Sequence, residues 1–207
     1  MNGRARFIST VDVSRETLER LDIYAALLMK WTPSINLVAK STVAQLWDRH
    51  FLDSAQILGV TAKQEGLWAD LGSGGGFPGM VIAILTAKHR PRLSVTCVES
   101  DLRKATFLRT VARETGLNVP VLSERIEALS PLDADVVSAR ALSPLAQLLE
   151  YAQRHLRMGG EAIFLKGAGA SAEIQQALET WAFELDTYPS NTDPQATILR
   201  IGDIRRV

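Results

Sequence analysis

The sequence predicts an α/β protein: a doubly wound, largely parallel, seven-stranded sheet with an antiparallel edge hairpin and an N-terminal helical extension. Three observations lead there. An apolar run at 67–71 breaks into Gly72-Ser73-Gly74-Gly75-Gly76-Phe77-Pro78-Gly79 and resumes as a helix-like stretch with Met80, Val81, Ile84 and Leu85. A second apolar run, 93–98, ends in an acid, Glu99. Strand-like and helix-like segments then alternate until a late pair of strands joined by a turn.

In chain order, residues 1–12 read as frayed. Ser14 can cap a helix whose Leu18, Leu21, Ala25, Leu28 and Trp31 share one face, and Pro33 ends it. A second helix is predicted over about 42–58, with Leu46, Trp47, His50, Ser54 and Ile57 on one side. Strands are predicted at 67–71, 93–98, 119–122, 135–139 and 160–165, with helices near 79–88, 101–115 and 144–157. Ser143-Pro144 reads as a cap followed by proline in the first helical position, and Gly159-Gly160 as the close of that helix. A last helix, about 171–182, precedes strands at 183–188 and 196–201, with Asp193 and Pro194 in the turn between them. Residues 1–60 form a helical cap and 61–207 one compact α/β domain in this reading.

Composition narrows the function. With 207 residues and 46% hydrophobic composition, the chain fits one globular domain with a substantial core. Too little chain remains for the substrate domain of a two-domain dehydrogenase. Basic and acidic residues number 23 each, so any nucleic-acid footprint must be local. Cys97 is the single cysteine and falls inside a predicted strand, where core packing is its role. No leader-like segment or membrane-length apolar run is visible, and the expected location is the cytoplasm.

Strand, glycine turn and helix in that order is an arrangement that holds an adenosine cofactor, with helix N–H groups pointing at the ligand. The glycines read in two registers. Asp70, Gly72, Gly74 and Gly76 give D-x-G-x-G-x-G, the form class I methyltransferases use for S-adenosylmethionine; Gly74, Gly76 and Gly79 give the dinucleotide G-x-G-x-x-G. The predicted strand ends at Leu71, which makes Gly72 the first turn glycine and favours the former. Glu99 lies 27 positions after Gly72, at the tip of the second strand, where a carboxylate can accept both ribose hydroxyls. That role alone does not separate the two cofactors. The absence of G-K-[ST] argues against a P-loop.

Several further words share an order with one family. The chain resembles the bacterial small-subunit ribosomal RNA methyltransferase G family, also called glucose-inhibited division protein B, over nearly its whole length. The resemblance is carried by Trp31 with Ile35-Asn36-Leu37, by Arg49-His50-Phe51-Leu52-Asp53-Ser54, and by the glycine turn with its Phe77-Pro78-Gly79 ending. Arg103-Lys104, Phe107-Leu108, Arg125-Ile126-Glu127, Ser138-Ala139-Arg140-Ala141 and Leu165-Lys166-Gly167 continue it. Thr32 and Val38 depart from the family's usual asparagine and threonine. The resemblance implies a class I S-adenosylmethionine-dependent fold and methyl transfer to N7 of one guanine in the 530 loop of 16S ribosomal RNA. It carries Gly72, Phe77, Ile126, Glu127 and Arg140 over as cofactor contacts. The expected partner is 16S RNA or the small ribosomal subunit, with no membrane, no metal and a monomeric enzyme.

Guanine N7 has a free lone pair and no proton, so alignment and electrostatics suffice for its methylation. No N-P-P-Y-type turn for an exocyclic amine is present, and Cys97 is badly placed to attack cytosine C5. These absences also fit many small-molecule methyltransferases, and a non-catalytic S-adenosylmethionine sensor is a second rival. Arg140, at the carboxyl end of the fourth strand, can hold the methionine carboxylate or an RNA phosphate. Asn36 and His50 are candidates for holding the base, each with a purely structural alternative. Arg103, Lys104, Arg109, Arg125 and Lys166 are candidates for a local RNA-binding surface, the alternative being a solvated charged face.

Overall fold

The computed structural model describes residues 3–207. A seven-stranded sheet lies at its centre, in the order β3-β2-β1-β4-β5-β7-β6. The strands are β1 (Glu65–Leu71), β2 (Arg92–Val98), β3 (Val121–Leu122), β4 (Ala134–Arg140), β5 (Leu156–Lys166), β6 (Trp181–Pro189) and β7 (Thr197–Arg206). Strands β1 to β5 pair in parallel, and β7 runs antiparallel to both β5 and β6. This is the doubly wound sheet with an antiparallel edge that the sequence predicts. Sequential order reverses between β1 and β4, which opens a crevice beyond the carboxyl ends of those strands.

Two helices precede the sheet, α1 (Gly3–Thr10) and α2 (Arg15–Trp31). Ser14 caps α2 by accepting from the Thr17 amide at 3.2 Å, as expected. The expectation of frayed residues 1–12 fails for α1, since Phe7 is wholly buried and packs its ring on Trp47 at 5.4 Å; residues 1 and 2 lie outside the described residues. Phe7, the Arg4–Asp22 and Arg6–Asp48 pairs and an Arg6 hydrogen bond to the Asn191 carbonyl hold this short helix to the body, contacts that no local periodicity announces.

The predicted regular helix over 42–58 is also corrected. It is a 3-10 turn (Lys40–Gln45), a π-helical turn (Trp47–Leu52), the short α3 (Asp53–Ala55) and another 3-10 turn (Gln56–Gly59). The π turn broadens the inward face: the consecutive residues His50, Phe51 and Leu52 are all buried. Sequence spacing found Leu46, His50, Ser54 and Ile57 but not Phe51 and Leu52, nor the backbone that carries them.

The remaining helices are α4 (Gly79–His89), α5 (Leu102–Glu114), α6 (Leu145–His155) and α7 (Ala170–Leu178). Helix α4 is buried along most of its length, from Gly79 to Thr86. Pro144 occupies the cap of α6 rather than its first turn, with ψ 155°, and Ser143 does not cap. The Glu173 carboxylate of α7 accepts from the Leu145 amide at 2.7 Å instead. Gly159-Gly160 lies within β5 and does not close α6, which ends at His155 with the strand following at once.

The chain buries its apolar side chains on both sheet faces. One cluster joins Phe7, Tyr24 and Leu28 of the first two helices to Trp68, Val81 and Phe107; the other joins Val137, Phe164 and Leu199 to α6. Cys97 is buried, as expected. Phe7→Ala removes a wholly buried aromatic and should cost about 3–5 kcal/mol in urea denaturation. A loss below about 1 kcal/mol would mean that α1 is not a packed element.

Candidate active site

The β1–α4 turn is held by the sheet before any ligand enters. The Ser73 amide donates to the Val98 carbonyl at 3.0 Å. Glu99, nearly buried at the end of β2, accepts from the Gly74 amide at 2.8 Å through Oε2 and from the Asp101 amide at 2.8 Å through Oε1. A carboxylate has about four acceptor positions, so two backbone bonds orient Glu99 and leave it acceptor capacity. Gly74 sits at φ +56°, and a Cβ there would meet nothing nearer than the Gly72 carbonyl at 3.8 Å. Its missing side chain is therefore open space rather than protein packing.

Beneath the turn, Asp70 is fully buried. Its Oδ1 accepts from Ser138 Oγ at 2.7 Å, and that oxygen accepts from the Trp68 indole N–H at 2.8 Å. Burial raises the Asp70 pKa to about 6, opposed by Ser138, Ser73 and the Gly79 backbone.

Around the turn lies a cleft of about 460 Å³ lined by Gly72, Gly74, Glu99, Ile126, Glu127 and Arg140, among others. Lys104 and Arg125 line it as well. The Glu127 carboxylate accepts from the Tyr151 hydroxyl at 2.6 Å. Phe77 is buried, its ring 5.6 Å from that of Tyr24. Gly76 faces inward on the same side. The turn, Glu99, Ile126 and Glu127 thus line one volume with an acid at its strand tip, the chemistry an adenosine group requires.

A second cleft, also about 460 Å³, is lined by Thr42, His50, Asp53, Lys166, Glu173 and Asp193 among others, and it too includes Arg140. Arg140 therefore stands on the wall between the two. Its guanidinium donates to the Arg49 carbonyl at 3.1 Å, to Asp53 Oδ2 at 3.1 Å and to His50 Nδ1 at 2.9 Å, and lies 4.9 Å from the Phe77 ring centre. Arginine has five N–H groups and accepts nothing, so N–H groups remain for a ligand.

The same logic fixes His50. Nδ1 faces a guanidinium and is unprotonated. Nε2 lies 2.8 Å from Thr42 Oγ1, whose own hydrogen goes to the Ala39 carbonyl at 2.8 Å, so Nε2–H is the donor. Burial first, then the Arg140 and Arg49 charges, push the His50 pKa down to about 3. The ring is neutral with both nitrogens occupied.

The other candidates are dispersed. Asn36 is exposed on the loop after α2. Arg103 pairs with Asp101 at 3.3 Å and Arg109 donates to the Val121 carbonyl at 2.9 Å, both exposed along α5. Lys166 is mostly covered, bonded to Glu173 at 2.7 Å and to the Ser143 carbonyl at 3.0 Å. Asp53, Thr42 and Ser138 also belong to the site's hydrogen-bond network; Asp53 and Ser138 lie in words that carry the resemblance, and Thr42 lies in none. Among the described residues, no group of three or more His, Cys, Asp or Glu is arranged to hold a metal ion, and no helix is long and apolar enough to cross a membrane.

Comparison with known proteins finds relatives over nearly the whole chain. The family profile described as rRNA small subunit methyltransferase G matches residues 17–196. A curated relative from Ruegeria pomeroyi, named ribosomal RNA small subunit methyltransferase G, is 53% identical over 199 residues, covering 96% of this chain and 97% of that protein. A ribosomal protein L11 methylase from Lactobacillus delbrueckii subsp. bulgaricus has a similar fold, with TM-score 0.57 at 20% identity over 73% of this chain and 76% of its own. A SAM dependent methyltransferase from Aquifex aeolicus gives TM-score 0.56 at 13% identity over 72% and 88% of the two chains.

The depressed His50 pKa makes a prediction about stability. The unfolded chain binds a proton near pH 6.5 that the folded chain refuses until about pH 3. His50 therefore makes stability rise with pH across that window, while Asp70, raised by burial, acts in the opposite sense up to about pH 6. The stability difference between wild type and His50→Gln, measured by urea denaturation from pH 4 to 8, isolates His50. It should grow with pH up to about 6.5 and then level. A difference independent of pH would contradict the buried, neutral assignment.

Proposed function

The chain belongs to the rRNA small subunit methyltransferase G family, and from that premise we propose that it transfers a methyl group from S-adenosylmethionine to N7 of one guanine in the 530 loop of 16S ribosomal RNA. The single observation that carries the reading is the pair of clefts that share Arg140. One presents a glycine turn and a strand-tip carboxylate to an adenosine; the other presents a polar floor to a base. Bound in the first, S-adenosylmethionine supplies an electrophilic methyl group on a sulfonium.

Every other requirement falls to residues of the chain. Glu99 accepts from the ribose hydroxyls with the acceptor capacity left by its two backbone bonds. Glu127 accepts from the adenine amino group, and Ile126 packs beside it. Asp70 stays beneath the turn as its buried support, and Gly72, Gly74, Gly76 and Phe77 shape the turn itself. Arg140 anchors a charged group at the boundary, by its remaining N–H groups.

The nucleophile has no proton to lose, so the site needs no general base. A histidine with both nitrogens occupied suits that chemistry: His50 orients Arg140 rather than moving a proton. Methylated guanine carries positive charge, and Asp53, Glu173 and Asp193 line the second cleft. Each is already paired with a cation, Arg140, Lys166 and Arg49 respectively, so none is a free counter-charge for the product. Asn36, exposed at the loop, contacts the RNA near the target.

Arg103 and Arg109, exposed along α5, supply phosphate contacts outside the clefts, Lys104 and Arg125 supply them where they line the first, and Lys166 lines the second. Residues 1–60 cap the domain at 61–207. The enzyme works as a cytoplasmic monomer on 16S RNA or the small subunit.

Labelled methyl transfer onto small subunits from a strain lacking the enzyme tests this directly. An N7-methylated guanosine is cationic, so borohydride reduction and aniline treatment should cleave the RNA at a single guanosine of the 530 loop. Arg140→Ala should lower kcat/KM by ~100-fold or more, and His50→Ala by a smaller factor. Methyl incorporation without cleavage would assign another acceptor atom. A metabolite as sole acceptor would move the enzyme to the small-molecule class.

A further inference from the structure

Tyr24 lies in the middle of α2 and is wholly buried, yet its polar atom is not wasted: the hydroxyl donates to the Gly75 carbonyl of the β1–α4 turn. The same peptide unit is held at its other end, where the Gly76 amide donates to the Ser73 carbonyl at 2.7 Å. Gly76 has φ +96° and backs directly on the hydroxyl, so a Cβ there would occupy the place of the Tyr24 oxygen. The ring continues the contact. Its centre is 5.6 Å from Phe77, 5.2 Å from Phe51 and 6.2 Å from Phe107. Phe77 in turn carries the His50 ring at 4.9 Å and the Arg140 guanidinium at 4.9 Å.

A turn rich in glycine has many backbone conformations open to it. A carbonyl that points at α2 does not point into the cleft, and its peptide is then fixed in one orientation. Burial keeps the Tyr24 phenol protonated far above neutral pH, so it remains a donor. Without the hydroxyl, the Gly75 carbonyl would be buried without a partner. Rotating that peptide would recover hydrogen bonds with water in the cleft, at the expense of the space a ligand needs.

We propose that Tyr24 is a positioning residue of the cofactor cleft: its hydroxyl, carried on the N-terminal helices, fixes the Gly75–Gly76 peptide in the orientation that receives the adenosine cofactor. The N-terminal extension thereby completes a site whose motif lies entirely in the α/β portion. The proposal rests on the reading of that cleft as the S-adenosylmethionine site.

Tyr24→Phe keeps the ring and removes the hydroxyl. Calorimetry with S-adenosylhomocysteine and steady-state methyl transfer onto small subunits provide the readouts. Expected are a Kd and a KM for the cofactor raised ~10-fold, with kcat at saturating cofactor within about twofold. Phe107→Leu loosens the same aromatic stack and leaves the hydroxyl in place; it should lower Tm and keep the cofactor Kd within about twofold. An unchanged Kd in Tyr24→Phe overturns the proposal, as does a Phe107→Leu variant that weakens binding equally. Wild type that binds no S-adenosylhomocysteine overturns the reading of the cleft itself, a separate result. The unaltered protein gives a second test if Tyr24→Phe does not fold. Amide exchange should slow together in segments 20–28 and 72–78 when S-adenosylhomocysteine binds; slowing in 72–78 alone overturns the proposal.

Discussion

The charge of Arg140 has to be paired where β4 ends, and the way it is paired shapes the whole site. Its side chain is 17% exposed, too covered to rely on water. It is met by Asp53, by His50 and by the Arg49 carbonyl, all from the irregular helical segment before the sheet. Asp53 is held in turn, accepting from Thr192 Oγ1 at 2.7 Å and from Gln56 Nε2 at 2.9 Å. One cation thus ties together β4, the N-terminal segment and the loop between β6 and β7. A wall built this way divides the crevice at the switch point into two clefts and leaves Arg140 common to both.

The fold was largely legible because the dominant signals are local. Glycine density after 67–71, apolar runs of strand length and caps such as Ser14 each act over a few residues. What was missed is tertiary. Helix α1 persists because Phe7 is buried by residues distant in sequence. The cap of α6 comes from Glu173, which lies 28 positions from Leu145. The π turn at 47–52 serves the need to bury His50, Phe51 and Leu52 together, a need that a regular spacing does not encode.

The site divides along the same line. Gly72, Gly74, Glu99 and Arg140 are residues that sequence singles out by their type at strand ends, and they line a shared cleft. The use of Asp53 was not readable, since an aspartate one helical turn from a histidine has many roles. Tyr24 was invisible: on α2 it reads as one more core aromatic, and only its approach to Gly75 distinguishes it. Lys166 shows the reverse. In the word Leu165-Lys166-Gly167 it is a candidate RNA contact from sequence, but its ammonium is bonded to Glu173 and the Ser143 carbonyl, and it lines the second cleft.

In the proposed function Arg140 marks where the cofactor and the base meet. A crystal structure with S-adenosylhomocysteine, the demethylated product of the cofactor, tests it most directly. Adenosine is expected beside Glu99, Ile126 and Glu127, with the sulfur facing Arg140 and the second cleft. A sulfur directed away from Arg140, or a ligand seated in the cleft lined by Thr42 and Asp193, would contradict it.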